Sequence, residues 1–166
     1  MAANHAPRHR HQGFTLVELI VAMVILATLA AIAIPSYNQY VLKAHRTEAK
    51  TALMDAASLE ERYFSTSSLY TNNAMQLGYG VAGPPPSVPV GTGYYVISAI
   101  TALPPVPPTA LIPGGTPATF TITAVPAPGS MQVNDTQCAV FTINSAGQQT
   151  ALNSGGTDNT ANCWQN

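Results

Sequence analysis

Residues 13–35 read GFTLVELIVAMVILATLAAIAIP, and within residues 14–34 only Thr15, Glu18 and Thr28 are not apolar. About twenty apolar residues in a row, wound as a helix, are long enough to cross the hydrocarbon core of a bilayer. We therefore predict a transmembrane helix over residues 14–34 that carries a single acidic side chain.

The residues before this run are few, polar and basic. Residues 1–13 read MAANHAPRHRHQG, and Arg8 and Arg10 supply the fixed positive charges. Such a segment is typical of a leader peptide rather than of a folded element. Basic residues beside a membrane helix favour the cytoplasmic side. We therefore expect the leader in the cytoplasm and the rest of the chain across the membrane.

After the apolar run the helical pattern continues but becomes amphipathic. Residues 35–64 contain no glycine and no proline after Pro35. We predict a helix over residues 35–64 that packs on a sheet, because an apolar stripe recurs there at helical spacing. The stripe consists of Ala52, Ala56, Leu59 and Tyr63. Proline removes one backbone hydrogen bond and clashes with the preceding turn, so we expect Pro35 to interrupt the helix.

The remaining residues predict a small antiparallel sheet. Residues 65–93 carry turn-forming residues and little periodicity, which predicts a loop between helix and sheet. We expect three or four strands within residues 94–166, because several segments there are rich in β-branched and aromatic residues. These segments are 94–101, 119–125, 139–143 and a shorter one at 148–152. Residues 102–118 are rich in proline and predict a surface insertion. The fold class is therefore α+β.

Charge is scarce, and its distribution argues against several kinds of function. Charged residues make up 8% of the 166 residues, against roughly 25% in an ordinary soluble domain. After Arg62 the chain has no Lys, Arg, His or Glu, and its only acids are Asp135 and Asp158. Acid–base catalysis and phosphate binding both need such side chains. We expect no catalytic residue, metal site or cofactor, and the sequence shows no nucleic-acid partner. After the leader, the helix alone offers cations: Lys43, His45, Arg46, Lys50 and Arg62.

Two cysteines, Cys138 and Cys163, lie near the end of the chain in a segment rich in Thr and Asn. They predict one disulfide formed in an oxidising compartment. Closing the 138–163 loop stabilises the domain by roughly 3.5 kcal/mol in the chain-entropy account. The alternative is a pair of buried thiols that are not joined.

The N-terminal residues resemble those of type IV prepilins. The resemblance rests on Gly13-Phe14-Thr15-Leu16-Val17-Glu18, on the apolar helix that contains Pro35, and on Ser36-Tyr37. The resemblance to the PilE-like branch in particular rests on Arg46-Thr47-Glu48-Ala49, Ala56-Ala57, Glu61-Arg62-Tyr63 and Tyr70-Thr71. Farther on it rests on Cys138, Gly147 and Cys163-Trp164, whereas residues 80–130 match nothing in this pattern.

This resemblance implies the pilin fold, in which a long kinked helix packs on the sheet and a disulfide closes the C-terminal loop. It implies that a prepilin peptidase cuts between Gly13 and Phe14 and methylates the new N-terminus. It also implies assembly roles for Phe14, Glu18 and Pro35. A carboxylate in an apolar helix costs about 2.5 to 3.5 kcal/mol and needs a partner. By resemblance, the partner of Glu18 is the methylated amine of Phe14 in a neighbouring subunit.

The resemblance further implies partners and a location. The partners are other pilin subunits, the prepilin peptidase, an inner-membrane assembly platform and, before assembly, membrane lipid. The precursor would cross the inner membrane once, with its C-terminal domain in the periplasm, and would later form part of an extracellular pilus.

Two alternatives remain open. A pseudopilin of a type II secretion system shares the leader, the acid and the helix, but typically holds calcium with acidic oxygens. A secreted binding domain could instead follow an ordinary signal peptide cut at Ala31-Ile32-Ala33.

Overall fold

The structure, a computed structural model, describes residues 13–81, 87–106 and 116–165. The predicted leader, apart from Gly13, and the middle of the predicted proline-rich insertion lie outside the described residues. The chain divides into two compact units, Met1–Gln39 and Tyr40–Asn166.

The first helix, α1, spans Leu16–Ser67 and contains Pro35. The prediction that Pro35 interrupts the helix is wrong. A proline removes only one N–H donor from a helix, and the neighbouring Ser36 hydroxyl donates to the carbonyl of Ile32 at 3.0 Å. This bond adds a partner for a carbonyl in the turn that the proline disturbs.

In the first unit, the described residues are all exposed. They include the apolar part of α1, which is long and apolar enough to cross a membrane by length and composition alone. Among residues 13–39 the apolar side chains of α1 therefore enter no protein core.

In the second unit, α1 buries one face. Its buried residues recur alternately four and three positions apart, as expected for one face of a helix. They are Leu42, Arg46, Ala49, Leu53, Ala56 and Glu60. Of the predicted stripe only Ala56 is fully buried, and its other members pack partly against the core. The predicted stripe therefore borders the buried face, because two charged residues occupy positions on that face.

Five antiparallel strands form one sheet in the order β1-β2-β3-β4-β5. They are β1 Val88–Val90, β2 Tyr95–Leu103, β3 Thr119–Pro126, β4 Val140–Asn144 and β5 Gln149–Leu152. The sheet has one strand more than the three or four predicted, and β1 lies within the segment predicted as a loop. With α1 and the antiparallel sheet in place, the α+β fold class is confirmed.

The first strand is short and contains a proline. Val88 and Val90 are buried, and they flank the exposed Pro89. Pro89 pairs with Val96 of β2. Because proline has no N–H, this edge strand lacks one of the donors that another strand would need for pairing.

The hydrophobic core joins α1 to the inner face of the sheet. Its largest fully buried apolar side chains include Leu53, Tyr95, Ile122 and Phe141. The rings of Tyr95 and Phe141 meet edge to face with centroids 5.8 Å apart. Alternate residues of β3 point inward, as a period of two requires.

Candidate functional site

The predicted cleavage junction lies just before the first turn of α1. Gly13 is not helical, and a Cβ placed on it would meet nothing within 4 Å. The side chain of Phe14 is 83% exposed. Packing within the described residues therefore gives no reason for glycine at position 13, and its processing role stays a prediction.

Glu18 makes its contacts with the residue that precedes the helix. The Thr15 hydroxyl accepts a hydrogen bond from the backbone N–H of Glu18 at 3.2 Å, and lies 3.5 Å from the Glu18 carboxylate. Thr15 and Glu18 thus form the Thr-x-x-Glu pattern of a helix N-cap. A carboxylate in the first turn also interacts favourably with the helix dipole. Sequence reasoning treated Glu18 only as a membrane acid and missed this capping signal.

The structure leaves the predicted assembly residues apart. One exposed segment contains Phe14, Glu18 and Pro35. Among the described residues these three make no contact with one another. Contacts between subunits lie outside a single chain, so the assembly roles of these residues stay predictions.

Cys138 and Cys163 form a disulfide with an S–S distance of 2.06 Å, as predicted. Cys163 lies on a short helix, α2, which spans Thr160–Trp164. The Trp164 indole N–H donates to the carbonyl of Thr150 on β5 at 2.9 Å, and its ring meets Phe141 edge to face at 5.8 Å. The disulfide therefore holds the C-terminal segment along the outer edge of β5.

A buried polar cluster ties α1 to the segment before the disulfide. Arg46 donates to both carboxylate oxygens of Asp135, at 2.7 and 2.8 Å, with both residues 3% exposed. The amide nitrogen of Gln132 lies 2.9 Å from Asp135 and 2.9 Å from the Tyr95 hydroxyl, and Asp135 also accepts from the N–H of Cys138 at 3.3 Å. Burial raises the pKa of Tyr95. Sequence reasoning missed this cluster, because Arg46 and Asp135 are 89 positions apart along the chain.

A second contact holds the turn between β1 and β2. Glu48 accepts hydrogen bonds from the backbone N–H and the hydroxyl of Thr92, each at 2.9 Å. Burial acts to raise the pKa of Glu48, but the bonds from Thr92 and His45 outweigh it and hold this pKa below its usual value. The His45 ring stacks on Tyr94 with centroids 3.6 Å apart. Gly91 has a φ of +51°, a conformation that L side chains rarely adopt, and a Cβ there would also displace the Glu48 carboxylate 2.5 Å away, so this turn favours glycine.

Glu60 is a buried acid that is only half satisfied. One carboxylate oxygen accepts from the N–H of Thr71 at 3.1 Å, and the other has no partner among the described residues. Burial raises the pKa of Glu60 to about 7; the bond from Thr71 opposes this rise and the charge of Glu61 adds to it. Nothing in the sequence distinguishes this acid from its neighbours Glu61 and Arg62, which are charged too but lie exposed in the structure.

Comparison with known proteins places this arrangement in a family. A family model described as "Type IV minor pilin ComP, DNA uptake sequence receptor" matches residues 35–142. A second model, "Prokaryotic N-terminal methylation motif", matches residues 8–34.

Several curated relatives are pilins. The chain is 36% identical over 70 residues to the type IV major pilin protein PilA of Myxococcus xanthus, covering 42% of this chain and 32% of that protein. It is 33% identical over 89 residues to the type IV wide pilus major component PilA4 of Thermus thermophilus, covering 53% and 65%. It is 32% identical over 77 residues to the type IV major pilin protein PilE1 of Neisseria gonorrhoeae, covering 46% of each chain.

The chain thus spans less than two thirds of the length of each of these relatives. The resemblance to type IV pilins, PilE1 among them, is confirmed. Because the first family model matches more than half of the chain, this protein belongs to the type IV pilin family which that model describes.

Proposed function

We propose that this chain is a structural subunit of a type IV pilus. The observation that carries the proposal is the first unit, whose apolar helix is exposed throughout and holds one acid. This helix directly follows the junction within the matched methylation motif. An uncovered apolar helix of this length needs either lipid or other protein around it.

The processing step acts on the accessible junction. A prepilin peptidase cuts between Gly13 and Phe14, and the new amine of Phe14 is methylated. The exposure of Phe14 and the open space at Gly13 support this assignment.

The location follows from two features. The precursor crosses the inner membrane once, with its leader in the cytoplasm, because the basic residues precede the apolar run. Its second unit enters the periplasm, where the disulfide can form. Membrane lipid surrounds the apolar helix until an inner-membrane assembly platform moves the subunit into the filament.

Glu18 contributes to assembly by pairing with the methylated amine of Phe14 in a neighbouring subunit. In the described chain this carboxylate contacts only the Thr15 hydroxyl, at 3.5 Å. It keeps room for a further partner, and a cation is the partner that an acid in apolar surroundings needs.

The choice of a pilin over a secretion pseudopilin is supported by Asp135. Past Arg62 the chain has two acids, and Asp135 is committed to the buried Arg46. Asp158 alone remains for a calcium site in that region, which is fewer carboxylates than such sites use.

The family description names a DNA receptor, and the charges of this chain argue against that role for its second unit. Arg46 is paired and buried, His45 stacks on Tyr94, and Lys50 contacts the Trp164 carbonyl. The exposed cations Lys43 and Arg62 lie about 28 Å apart along α1. Two separated cations neutralise few phosphates. This conclusion is wrong if the wild-type chain binds duplex DNA at low salt and the double variant Lys43→Gln, Arg62→Gln no longer binds it.

The proposed function is tested by the intact mass of this protein in fibres sheared from cells. We expect a chain that begins at Phe14, carries one added methyl group and retains the disulfide. Gly13→Val should leave the precursor uncut in the membrane. A mature N-terminus at Ile34, or absence of the wild-type chain from fibres, would contradict the proposal.

A further inference from the structure

Glu60 contacts a segment of the second unit that has neither helix nor strand. Residues 70–79 follow the end of α1, and we call them the latch segment. Among the described residues, the backbone of this segment is joined to α1 by one hydrogen bond, which the Thr71 N–H donates to Glu60 at 3.1 Å. Segments with few backbone bonds to the rest of a domain are the ones that open first. The closed position of the latch segment therefore depends on the Glu60 carboxylate.

The latch segment is held together internally, so it can open as one unit. The Thr71 hydroxyl donates to the side chain of Gln76 and accepts from the N–H of Asn73 at 3.1 Å. The N–H of Tyr79 donates to the carbonyl of Ala74 at 3.0 Å. Ala74 itself is fully buried in the hydrophobic core. Opening of this segment therefore uncovers part of the core and leaves the bonds within the segment intact.

Glu60 is poorly suited to carry a charge while the latch segment is closed. Its side chain is fully buried, it forms no ion pair among the described residues, and one of its carboxylate oxygens has no partner there. A buried carboxylate without a cation costs far more than a buried neutral carboxyl group. Burial accordingly raises the pKa of Glu60 to about 7. The closed state thus binds this proton more tightly than an open state in which water reaches the carboxyl group.

The other titratable groups around Glu60 do not replace it as the group that senses pH. Glu61 is exposed on α1, and its charge adds to the cost of ionising Glu60. Tyr70 and Tyr79 of the latch segment feel the charge of Glu60, and burial raises the pKa of both, so they stay neutral near pH 7. The five strands contribute one titratable side chain, Tyr95, whose pKa burial also raises. Glu60 is therefore the buried group of this set that changes its charge between pH 5 and pH 8.

We propose that the protonation state of Glu60 controls the latch segment, which stays closed on α1 while Glu60 is protonated and opens when Glu60 ionises. Opening gives both carboxylate oxygens access to water, which the closed segment denies to them. The sheet and the disulfide lie outside this segment, so the rest of the domain stays folded. The surface around the end of α1 is therefore closed in acid and opens as the pH rises. This inference goes beyond the proposed pilus role and concerns the second unit alone.

Native-state hydrogen exchange of the full chain in detergent, read by mass spectrometry of peptides, tests this control. After correction for the intrinsic effect of pH on exchange, the protection of residues 70–79 should fall on the order of 100-fold from pH 5 to pH 8. The reason is that the open state ionises Glu60 near its ordinary pKa of 4.5, and the closed state does so only near 7. At each pH this segment should exchange faster than β3 and β4. In low urea its exchange should also depend less on denaturant, since its opening exposes less surface.

Two variants assign the effect to Glu60. Glu60→Gln keeps an acceptor for the Thr71 N–H but cannot ionise, so the protection of residues 70–79 should no longer depend on pH. Glu61→Gln is the matched control, because this exposed neighbour accepts from the Tyr70 hydroxyl at 3.0 Å and its amide oxygen can still accept. The control should keep most of the wild-type pH dependence.

Three outcomes would overturn the proposal. Residues 70–79 of the wild-type chain could exchange only together with β3 and β4, in which case Glu60 acts on global unfolding alone. Their protection in the wild-type chain could be equal at pH 5 and pH 8, or the pH dependence could persist in Glu60→Gln. The first two outcomes are read from wild type and hold even if Glu60→Gln does not fold. Pilus membership is measured separately in sheared fibres, so the failure of either proposal leaves the other standing.

Discussion

From Leu16 to Gln39, α1 is exposed and carries one charge, whereas from Tyr40 to Ser67 it buries an arginine and a glutamate. The first half turns apolar side chains outward, and the second half places charged ones inside. A single helix can do both because each half matches a different environment. The first half matches surroundings outside the chain, and the second half matches partners supplied by the chain itself.

The largest effect, on incorporation into fibres, is expected at Glu18, the one acid in the first half of α1. Substitutions there can separate the capping role of this side chain from its charge. Glu18→Gln keeps a side chain that fits the capping pattern but loses the charge. We expect it to be cleaved and inserted normally, with a strong loss of incorporation into sheared fibres. Glu18→Ala should behave alike, and Glu18→Asp should recover only part of the loss because its carboxylate is one methylene shorter.

The control for this prediction is Thr15→Ala, which removes the cap and keeps the charge. It should cost about 1 kcal/mol of helix stability and leave incorporation near wild type. Subunit mixtures of Glu18→Ala and wild type should incorporate at an intermediate level. Wild-type incorporation of Glu18→Gln would show that Glu18 acts as a cap and not as an assembly charge.

In the second half, the largest effect should follow from separating Arg46 and Asp135. Arg46→Ala leaves Asp135 buried without its partner, which should lower the free energy of unfolding by about 3 to 5 kcal/mol. Urea unfolding of the full chain in detergent, followed by the fluorescence of the single tryptophan, Trp164, measures this change. Arg46→Met with Asp135→Leu should restore most of the stability. Equal losses in the single and double variants would show that packing, rather than charge pairing, matters here.

Removal of the disulfide should have a somewhat smaller effect. Cys138→Ser or Cys163→Ser should lower the free energy of unfolding by roughly 3.5 kcal/mol, because the unfolded chain gains freedom. The same variants should lose the mobility difference between reduced and unreduced samples. Two free thiols in the wild-type protein, detected by alkylation, would contradict both the bond and the oxidising compartment.

The smallest of these effects concerns Glu60 and depends on pH. Its folded-state pKa is raised from 4.5 to about 7, so the folded protein binds this proton more tightly than the unfolded one. The resulting stabilisation is complete below about pH 4.5 and is lost as pH rises through 7. The free energy of unfolding should fall by about 3 kcal/mol over this range.

Glu60→Gln should remove this dependence and make the domain more stable than wild type at pH 8. The exposed neighbour provides the control, since Glu61→Gln should change stability by less than about 0.5 kcal/mol. Unfolding curves at pH 5 and pH 8 measure both variants. An unchanged pH dependence in Glu60→Gln would show that another group is responsible.

The features that the sequence predicts are those that depend on local pattern. Four strands and the long helix follow from runs of residue types, and the disulfide follows from two cysteines in a region almost without charge. The strand β1 escaped prediction because three residues around Pro89 carry no periodic signal. The burial of Arg46 and Glu60 was not predicted, because a charged residue on an amphipathic helix is ordinarily solvated.

Pro89 has a consequence for contacts between copies of this chain. At the other edge of the sheet, the indole of Trp164 already occupies the Thr150 carbonyl of β5. One edge of the sheet lacks a backbone N–H donor, and at the other edge a backbone carbonyl is already bonded. Sheets from different copies are therefore poorly suited to pair through backbone hydrogen bonds. Any contact between copies would then depend on side chains. A concentrated pool of such subunits is thereby protected from amyloid-like aggregation.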